Sequence, residues 1–149
     1  MKKIVHQIFW SFDDKKTIED YPTFLINTQI TKIICRQYNI EYKLWNKEDC
    51  DNLIQSDFHT FSDLWNDFFY PIQQVDFIKY CILHKHGGIY LDSDVRPYKP
   101  FDELFEKEFF FCHWHDDKKR LPYNAVMGSQ PKNELFKSIM CECEKSFYE

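Results

Sequence analysis

Asp92 and Asp94 stand two positions apart, with Ser93 between them, directly after the apolar run Ile89-Tyr90-Leu91. On an extended strand, residues two apart face the same way. Two carboxylates side by side repel each other and are costly to hold unless a cation shares them. Oxygen ligands of this kind suit Mg²⁺ or Mn²⁺, ions that keep coordination positions open for phosphate oxygens. The local chemistry therefore implies a metal–diphosphate clamp on Asp92 and Asp94. A solvated acidic turn is the alternative, because surface loops produce this triplet by chance.

The elements around the triplet must deliver it to a ligand. Pro71 opens a helix whose Ile72, Val75, Ile78 and Ile82 form one apolar stripe. Gly87 caps it, with His84, Lys85 and His86 in the last turn. A tight reversal at Gly87-Gly88 then feeds the strand Ile89–Leu91, and the aspartates emerge at its carboxyl end, the edge where open α/β sheets bind ligands. On the same helix Asp76, Lys79 and Tyr80 are three and four apart, so they share a face and can converge on one ligand. A plain surface ion pair between Asp76 and Lys79 is the alternative.

The rest of the chain reads as alternating strands and helices. Residues Lys3 to Trp10 form a buried first strand around a polar His6-Gln7 step. A polar loop runs from Ser11 to Asp20, and Pro22 starts a helix reaching about Tyr38. Glu41 to Trp45 is a second strand, and one or two short helices fill Lys47 to Phe69. Later strands are expected at Phe109–His113 and Asn124–Met127, with a closing helix at Asn133–Cys143. This order implies an α/β layer structure in one domain over residues 1–149.

Composition excludes some partners. The formal net charge is -5, without the basic stripe that nucleic-acid binding needs. Lys118, Lys119 and Arg120 are the one basic cluster, read as a solvated loop or a phosphate contact. Six cysteines form no C-x-x-C pair and match no zinc spacing, which points to free thiols in a reducing compartment such as the cytoplasm. No secretory signal and no membrane span are read. Trp10 and Trp45 are expected in the core rather than as stacking platforms.

Gly87-Gly88-Ile89-Tyr90-Leu91-Asp92-Ser93-Asp94-Val95, preceded by Asp76-x-x-Lys79, resembles the sugar-binding D-x-D region of glycosyltransferase family 32 and its capsular-polysaccharide relatives. The large clostridial glucosylating toxins have a similar arrangement. The opening Ile4-Val5-His6-Gln7-Ile8-Phe9-Trp10, the segment Tyr42-x-Leu44-Trp45, and Asn124-Ala125-Val126-Met127-Gly128-Ser129-Gln130-Pro131 are similar to the family's first, second and later strands. The resemblance implies a GT-A-like fold with a central, mostly parallel sheet flanked by helices. It implies a metal-dependent glycosyltransferase that moves a sugar, with retained configuration, from a UDP- or GDP-sugar to a hydroxyl of a glycan, a lipid-linked sugar or a protein.

Carried over by position, Asp94 would be the main metal ligand and Asp92 would bind ribose or sugar and reach the metal through water. Asp76 would hold sugar hydroxyls, Gln7 and Phe9 would lie near the nucleotide, and Lys79, Tyr90 and Asn124 would complete the donor site. The family usually carries Arg where this chain has Lys79, so the charge stays and the bidentate fork is lost. The chain after Asp94 is short for the resemblance, as in a minimal or C-terminally short form. His113 and His115 are candidate late ligands or flanks of Trp114. Two rival readings remain. One is a nucleotide-sugar-binding module without turnover. The other is a haloacid-dehalogenase-type phosphatase with Asp92 as nucleophile, for which Asp116-Asp117 comes too early as the late acidic pair.

Overall fold

Ile4–Ile8 (β1) is buried at every position, so both faces are covered, as in the middle of a parallel sheet. Glu41–Trp45 (β2) and Gly88–Leu91 (β3) flank it, both parallel to it. Phe109–Asp116 (β4) and Lys119–Ser129 (β5) form an antiparallel hairpin, and β5 pairs antiparallel with β3. The strand order is β2-β1-β3-β5-β4, and among the described strands β5 alone runs against the others. This is a computed structural model that describes residues 1–116 and 119–149, with side chains for 1–113 and 121–149.

Alternate residues of the strands feed two separate cores. On one face Val5, Ile89 and Leu91 pack with Cys35 of Pro22–Gln37 (α1) and with Phe101 and Phe105 at Asp102–Phe105. On the other, Ile8, Tyr90 and Met127 pack with Lys47–Asp57 (α2), Ser62–Asp67 (α3), Pro71–His86 (α4) and, past the short helix Asp102–Phe105 (α5), Glu134–Tyr148 (α6). The expected α/β layers are thus observed. Asn133, read as the first residue of the closing helix, is its N-cap, its side chain accepting from the Leu135 amide at 2.9 Å. The strands of the hairpin run longer than their apolar cores suggested, because cross-strand backbone pairing continues to polar residues such as Asp116 and Lys119.

The two polar residues of β1 are both fully buried and both hydrogen-bonded. Trp45 Nε1 donates to His6 Nδ1 at 3.1 Å, and an indole only donates. His6 Nε2 therefore carries the proton and donates to the Gly87 carbonyl at 3.0 Å. Burial pushes His6 down to about 3, against the opposing hydrogen bond to Gly87. A neutral imidazole thus ties β1 to β2 and to the entry of β3.

That entry needs two glycines. Gly87 and Gly88 have φ of 65° and 92°, a region in which a Cβ is strained. A Cβ on Gly88 would also lie 2.5 Å from the Ile4 carbonyl oxygen, which belongs to the central strand and cannot yield cheaply. We expect Gly88→Ala to cost about 3 kcal/mol or more, since left-handed strain and a backbone clash add. A thermal unfolding midpoint equal to the parent's would contradict this.

His6 sets an acid limit. Its folded pKa of about 3 lies below the ordinary 6.5, so unfolding takes up a proton anywhere between those values. Its stabilising contribution is full above the ordinary value and is lost as pH falls toward the folded one, by at most about 1.4 kcal/mol per pH unit. Denaturant unfolding of wild type and His6→Gln at neutral pH and at about pH 5 should show the steeper loss in wild type. Parallel pH profiles would refute the linkage.

Candidate functional site

From β1 the chain passes through α1 to β2 on one side, while β3 lies on the other. A crevice opens outside the carboxyl ends of strands at such a reversal of order, which is where open α/β sheets take ligands. A cleft of about 450 Å³ lies there, reached by residues after β1, by the turn after β3, by the first turns of α1 and α4, and by Asn124 of β5.

One wall is aromatic. Phe9 lies 5.6 Å from Tyr21 and 5.5 Å from Phe24, and Tyr21 and Phe24 are 5.9 Å apart between ring centres. These separations allow tilted and edge contacts that leave ring surface for a planar or sugar-like ligand. Trp10, expected in the core, is half-buried and lines the same cleft, whereas Trp45 is in the core. Ile72 and Val75 of the α4 stripe also line the cleft, so only its later members, Ile78 and Ile82, are fully buried.

The opposite wall is charged. The Lys79 ammonium, with its side chain 3 % exposed, lies 2.8 Å from Asp76 Oδ1 and 2.9 Å from Asp92 Oδ1. Tyr90 Oη donates to Asp92 Oδ1 at 2.8 Å from below, and Lys79 lies 5.2 Å above the Tyr90 ring centre. Asn124 Nδ2 donates to Asp76 Oδ1 at 3.2 Å. Burial lowers the Lys79 ammonium, but Asp92 and Asp76 outweigh it and hold its pKa above the ordinary lysine value. Burial raises the Asp92 carboxyl above its ordinary value, with Lys79 and Tyr90 pulling it back only in part. Burial, reinforced by Asp92, drives the Tyr90 phenol well above its ordinary value, so it remains a donor.

The turn itself differs from the extended geometry expected of the two aspartates. β3 ends at Leu91, and the Val95 amide donates to the Asp92 carbonyl at 3.0 Å, closing a turn over the triplet. Asp92 is therefore half-buried against Lys79, while Asp94 is exposed. The reason is that Lys79 supplies a cation for Asp92, so no parallel display of carboxylates is needed. Among the described residues the Asp94 carboxylate forms no ion pair or hydrogen bond.

Of the residues singled out in the sequence, Phe9, Asp76, Lys79, Tyr90, Asp92, Asp94 and Asn124 all line the cleft. Gln7 lies beneath it, fully buried, with its amide donating to the Asp92 carbonyl at 3.2 Å and accepting from Tyr42 Oη at 3.0 Å. Tyr80, the third residue of the helical face, does not line the cleft itself: its ring lies 6.3 Å from Phe136, and its side chain hydrogen-bonds Asn124 at the cleft edge. His113 is exposed and is not a lining residue. The side chains of Trp114, His115, Asp116, Lys119 and Arg120, and Asp117 and Lys118 altogether, lie outside the described residues. Tyr21 and Asn27 escaped the sequence reading. Tyr21 precedes the helix-opening Pro22, which could have signalled a helix start facing the strand ends, whereas Asn27 had no local signal.

Charge decides what this wall can accept. Three carboxylates, Asp76, Asp92 and Asp94, face one ammonium, and no second Lys or Arg lines the cleft among the described residues. Two like charges about 4 Å apart repel by roughly 4 kcal/mol at an effective dielectric of ~20. A diphosphate brought here would be repelled by these carboxylates unless a cation neutralised the charge. Among the described residues no three His, Cys, Asp or Glu side chains are gathered as a ligand group. Two carboxylates are nevertheless enough for an ion such as Mg²⁺ that completes its shell with phosphate oxygens and water. The donor set thus fits a hard divalent ion shared with a ligand.

The five-stranded mixed sheet flanked by helices is an α/β fold consistent with the GT-A-like nucleotide-sugar transferases. The chain belongs to the family of glycosyltransferase sugar-binding regions containing a DXD motif, which matches residues 15–111. It is 31 % identical over 141 residues to mannosyl phosphorylinositol ceramide synthase CSH1 of Saccharomyces cerevisiae, a match covering 93 % of this chain and 34 % of that protein. It is 30 % identical over 104 residues to the uncharacterized glycosyltransferase L373 of Acanthamoeba polyphaga mimivirus, covering 68 % and 41 %. Inositol phosphoceramide mannosyltransferase 3 of Schizosaccharomyces pombe is 39 % identical over 64 residues, covering 43 % and 18 %. The chain spans about a third of the length of the Saccharomyces relatives it matches. The phosphatase reading falls with this membership. No helix among the described residues is long and apolar enough to cross a membrane.

Removing the Lys79 ammonium leaves the half-buried Asp92 facing Asp76 without a cation. We expect Lys79→Met to cost about 1–3 kcal/mol at neutral pH, and Lys79→Arg, which keeps the charge, to cost much less. Without Lys79 the Asp92 pKa rises further above its unfolded value, so the penalty exists above that raised pKa and is relieved as pH falls through it. The difference in unfolding midpoint between Lys79→Met and wild type should narrow from neutral pH to about pH 5. A difference independent of pH would mean that only packing was lost.

Proposed function

We propose that this chain binds a nucleotide-diphosphate sugar in the cleft and transfers the sugar to an acceptor hydroxyl, as a metal-dependent, retaining glycosyltransferase. The observation that carries the reading is the Asp92-Ser93-Asp94 turn at the carboxyl end of β3, with Lys79 bridging Asp76 and Asp92 beside it. Asp94, with Asp92, would hold Mg²⁺ or Mn²⁺. When bound, the ion would supply Lewis-acid neutralisation of the departing nucleotide diphosphate.

The chain's own residues do the positioning. Lys79 and Tyr90 both address Asp92 Oδ1, which leaves Oδ2 for a ligand. Asp76 and Asn124, bonded to each other, offer acceptor and donor atoms to sugar hydroxyls. Phe9, Tyr21 and Phe24 flank the base and ribose. Asp76 and Asp92 are both engaged by one buried ammonium, so neither is poised as a base. That supports a retaining path in which the donor's own phosphate takes the acceptor proton on the same face. The mannosyl transfer in the names of the fungal relatives makes GDP-mannose the first donor to test, ahead of a UDP-sugar, and a lipid-linked headgroup the first acceptor, ahead of glycan and protein. Donor binding without turnover is the second reading, favoured by the engagement of both Asp76 and Asp92 with the Lys79 ammonium.

Calorimetric titration with GDP and UDP, with and without Mn²⁺, tests the site. We expect binding that requires Mn²⁺ in wild type and is weakened at least ~100-fold in Asp94→Ala, a loss of about 2.7 kcal/mol, with the unfolding midpoint nearly unchanged. Equal affinity in the two proteins would remove Asp94 from the site. Hydrolysis or transfer from the sugar donor separates an enzyme from a binding domain.

A further inference from the structure

The two aspartates of the turn are held in different ways. Asp92 is fixed through its carboxylate, by Lys79 and Tyr90, and through its backbone, by Gln7 from β1 and by its own amide donating to Ala125 O at 2.8 Å. Ser93 is fixed by its hydroxyl, which donates to the Ile8 carbonyl. The Asp94 carboxylate forms no bond or ion pair among the described residues, so its direction is set by its backbone. The described side chain that grips that backbone is Asn27, whose Nδ2 donates to the Asp94 carbonyl at 2.9 Å across 67 positions of sequence.

Asn27 is an unusual occupant of its place. It sits inside α1 and is buried, 6 % exposed, where asparagine has low helix propensity and tends to bond its own backbone instead. Here its amide is turned away from the helix, and its own carbonyl accepts from Thr31 Oγ1 at 2.8 Å. One helix residue thus connects α1, whose first turn carries the aromatic wall, to the free aspartate on the other wall.

We propose that Asn27 is a positioning residue for the Asp94 carboxylate, holding the turn so that Asp94 meets a divalent cation and the donor diphosphate. The proposal rests on the reading of Asp94 as a metal ligand. Groups behind a metal ligand that fix its orientation are worth ~10–100-fold in metal affinity or activity when removed. Asn27→Asp keeps shape and volume but replaces the N–H donor by an oxygen that repels the Asp94 carbonyl. Asn27→Ala removes the group and leaves that carbonyl unpaired.

The test is Mn²⁺ binding in the presence of saturating GDP or UDP, followed by calorimetry and by the loss of the free Mn²⁺ electron-spin-resonance signal. Wild type, Asn27→Ala, Asn27→Asp and Asp94→Ala are compared, each with its unfolding midpoint. The expected result is a ~10-fold or greater loss of Mn²⁺ affinity in both Asn27 variants. They should remain folded at the measuring temperature, with the loss smaller than in Asp94→Ala. In turnover the same variants should raise the KM for the Mn²⁺–donor complex more than they lower kcat. Mn²⁺ affinity within twofold of wild type in a folded Asn27→Asp protein, with Asp94→Ala strongly impaired, would overturn the proposal and leave the site reading intact. Unchanged affinity in Asp94→Ala would overturn the site reading, and this proposal with it.

Discussion

A single buried ammonium organises the cleft. Lys79 projects from α4 and meets Asp76 one turn earlier on the same helix and Asp92 beyond the end of β3. An ammonium this buried is costly unless its charge is compensated, and the compensation comes from two separate elements of the fold. The interaction adds little net stability compared with apolar packing, but it has one satisfactory geometry. It therefore fixes how the strand end sits against the helix face, and with it the place of every other group on that wall.

The central strand does a matching job from below. His6 and Gln7 break an otherwise apolar β1, and each faces a different core. His6 holds the carbonyl of Gly87, where the chain enters β3, and Gln7 holds the carbonyl of Asp92, where it leaves. The short strand that carries the aspartates is thus gripped at both ends by adjacent residues of its neighbour. Trp45 and Tyr42 of β2 complete the two bonds from the other side. Three buried side chains and the half-buried Tyr42 are all satisfied, so their burial adds specificity instead of an unpaired-donor penalty.

Much of this was legible in the sequence because it is local. The apolar stripe, the glycine stop and the strand after it share one short segment, and the carboxylates follow by position. The strand order and the long-range bonds are not local. No periodicity announces that Asn27 will reach Asp94, or that Gln7 will lie beneath the cleft when a residue at a strand's carboxyl edge was expected to line it. The turn at Asp92–Asp94 was read as extended because the lysine that pairs with Asp92 Oδ1 comes from another element. The aromatic wall was half-visible: Phe9 was marked but Phe24 was not, since a ring facing a cleft and a ring facing a core give the same pattern.

A lysine suits position 79 by the same geometry. Two carboxylate oxygens on different elements approach one point, at 2.8 and 2.9 Å. A compact ammonium serves a converging pair of that kind, whereas a planar fork favours the two oxygens of one carboxylate. The positive charge is the same in either case, so the balance of three carboxylates against one cation does not change. Among the described residues the Asp94 carboxylate has no partner. Any external cation would therefore be held by the exposed aspartate and the bracing of its backbone, whatever the identity of the basic residue beside it.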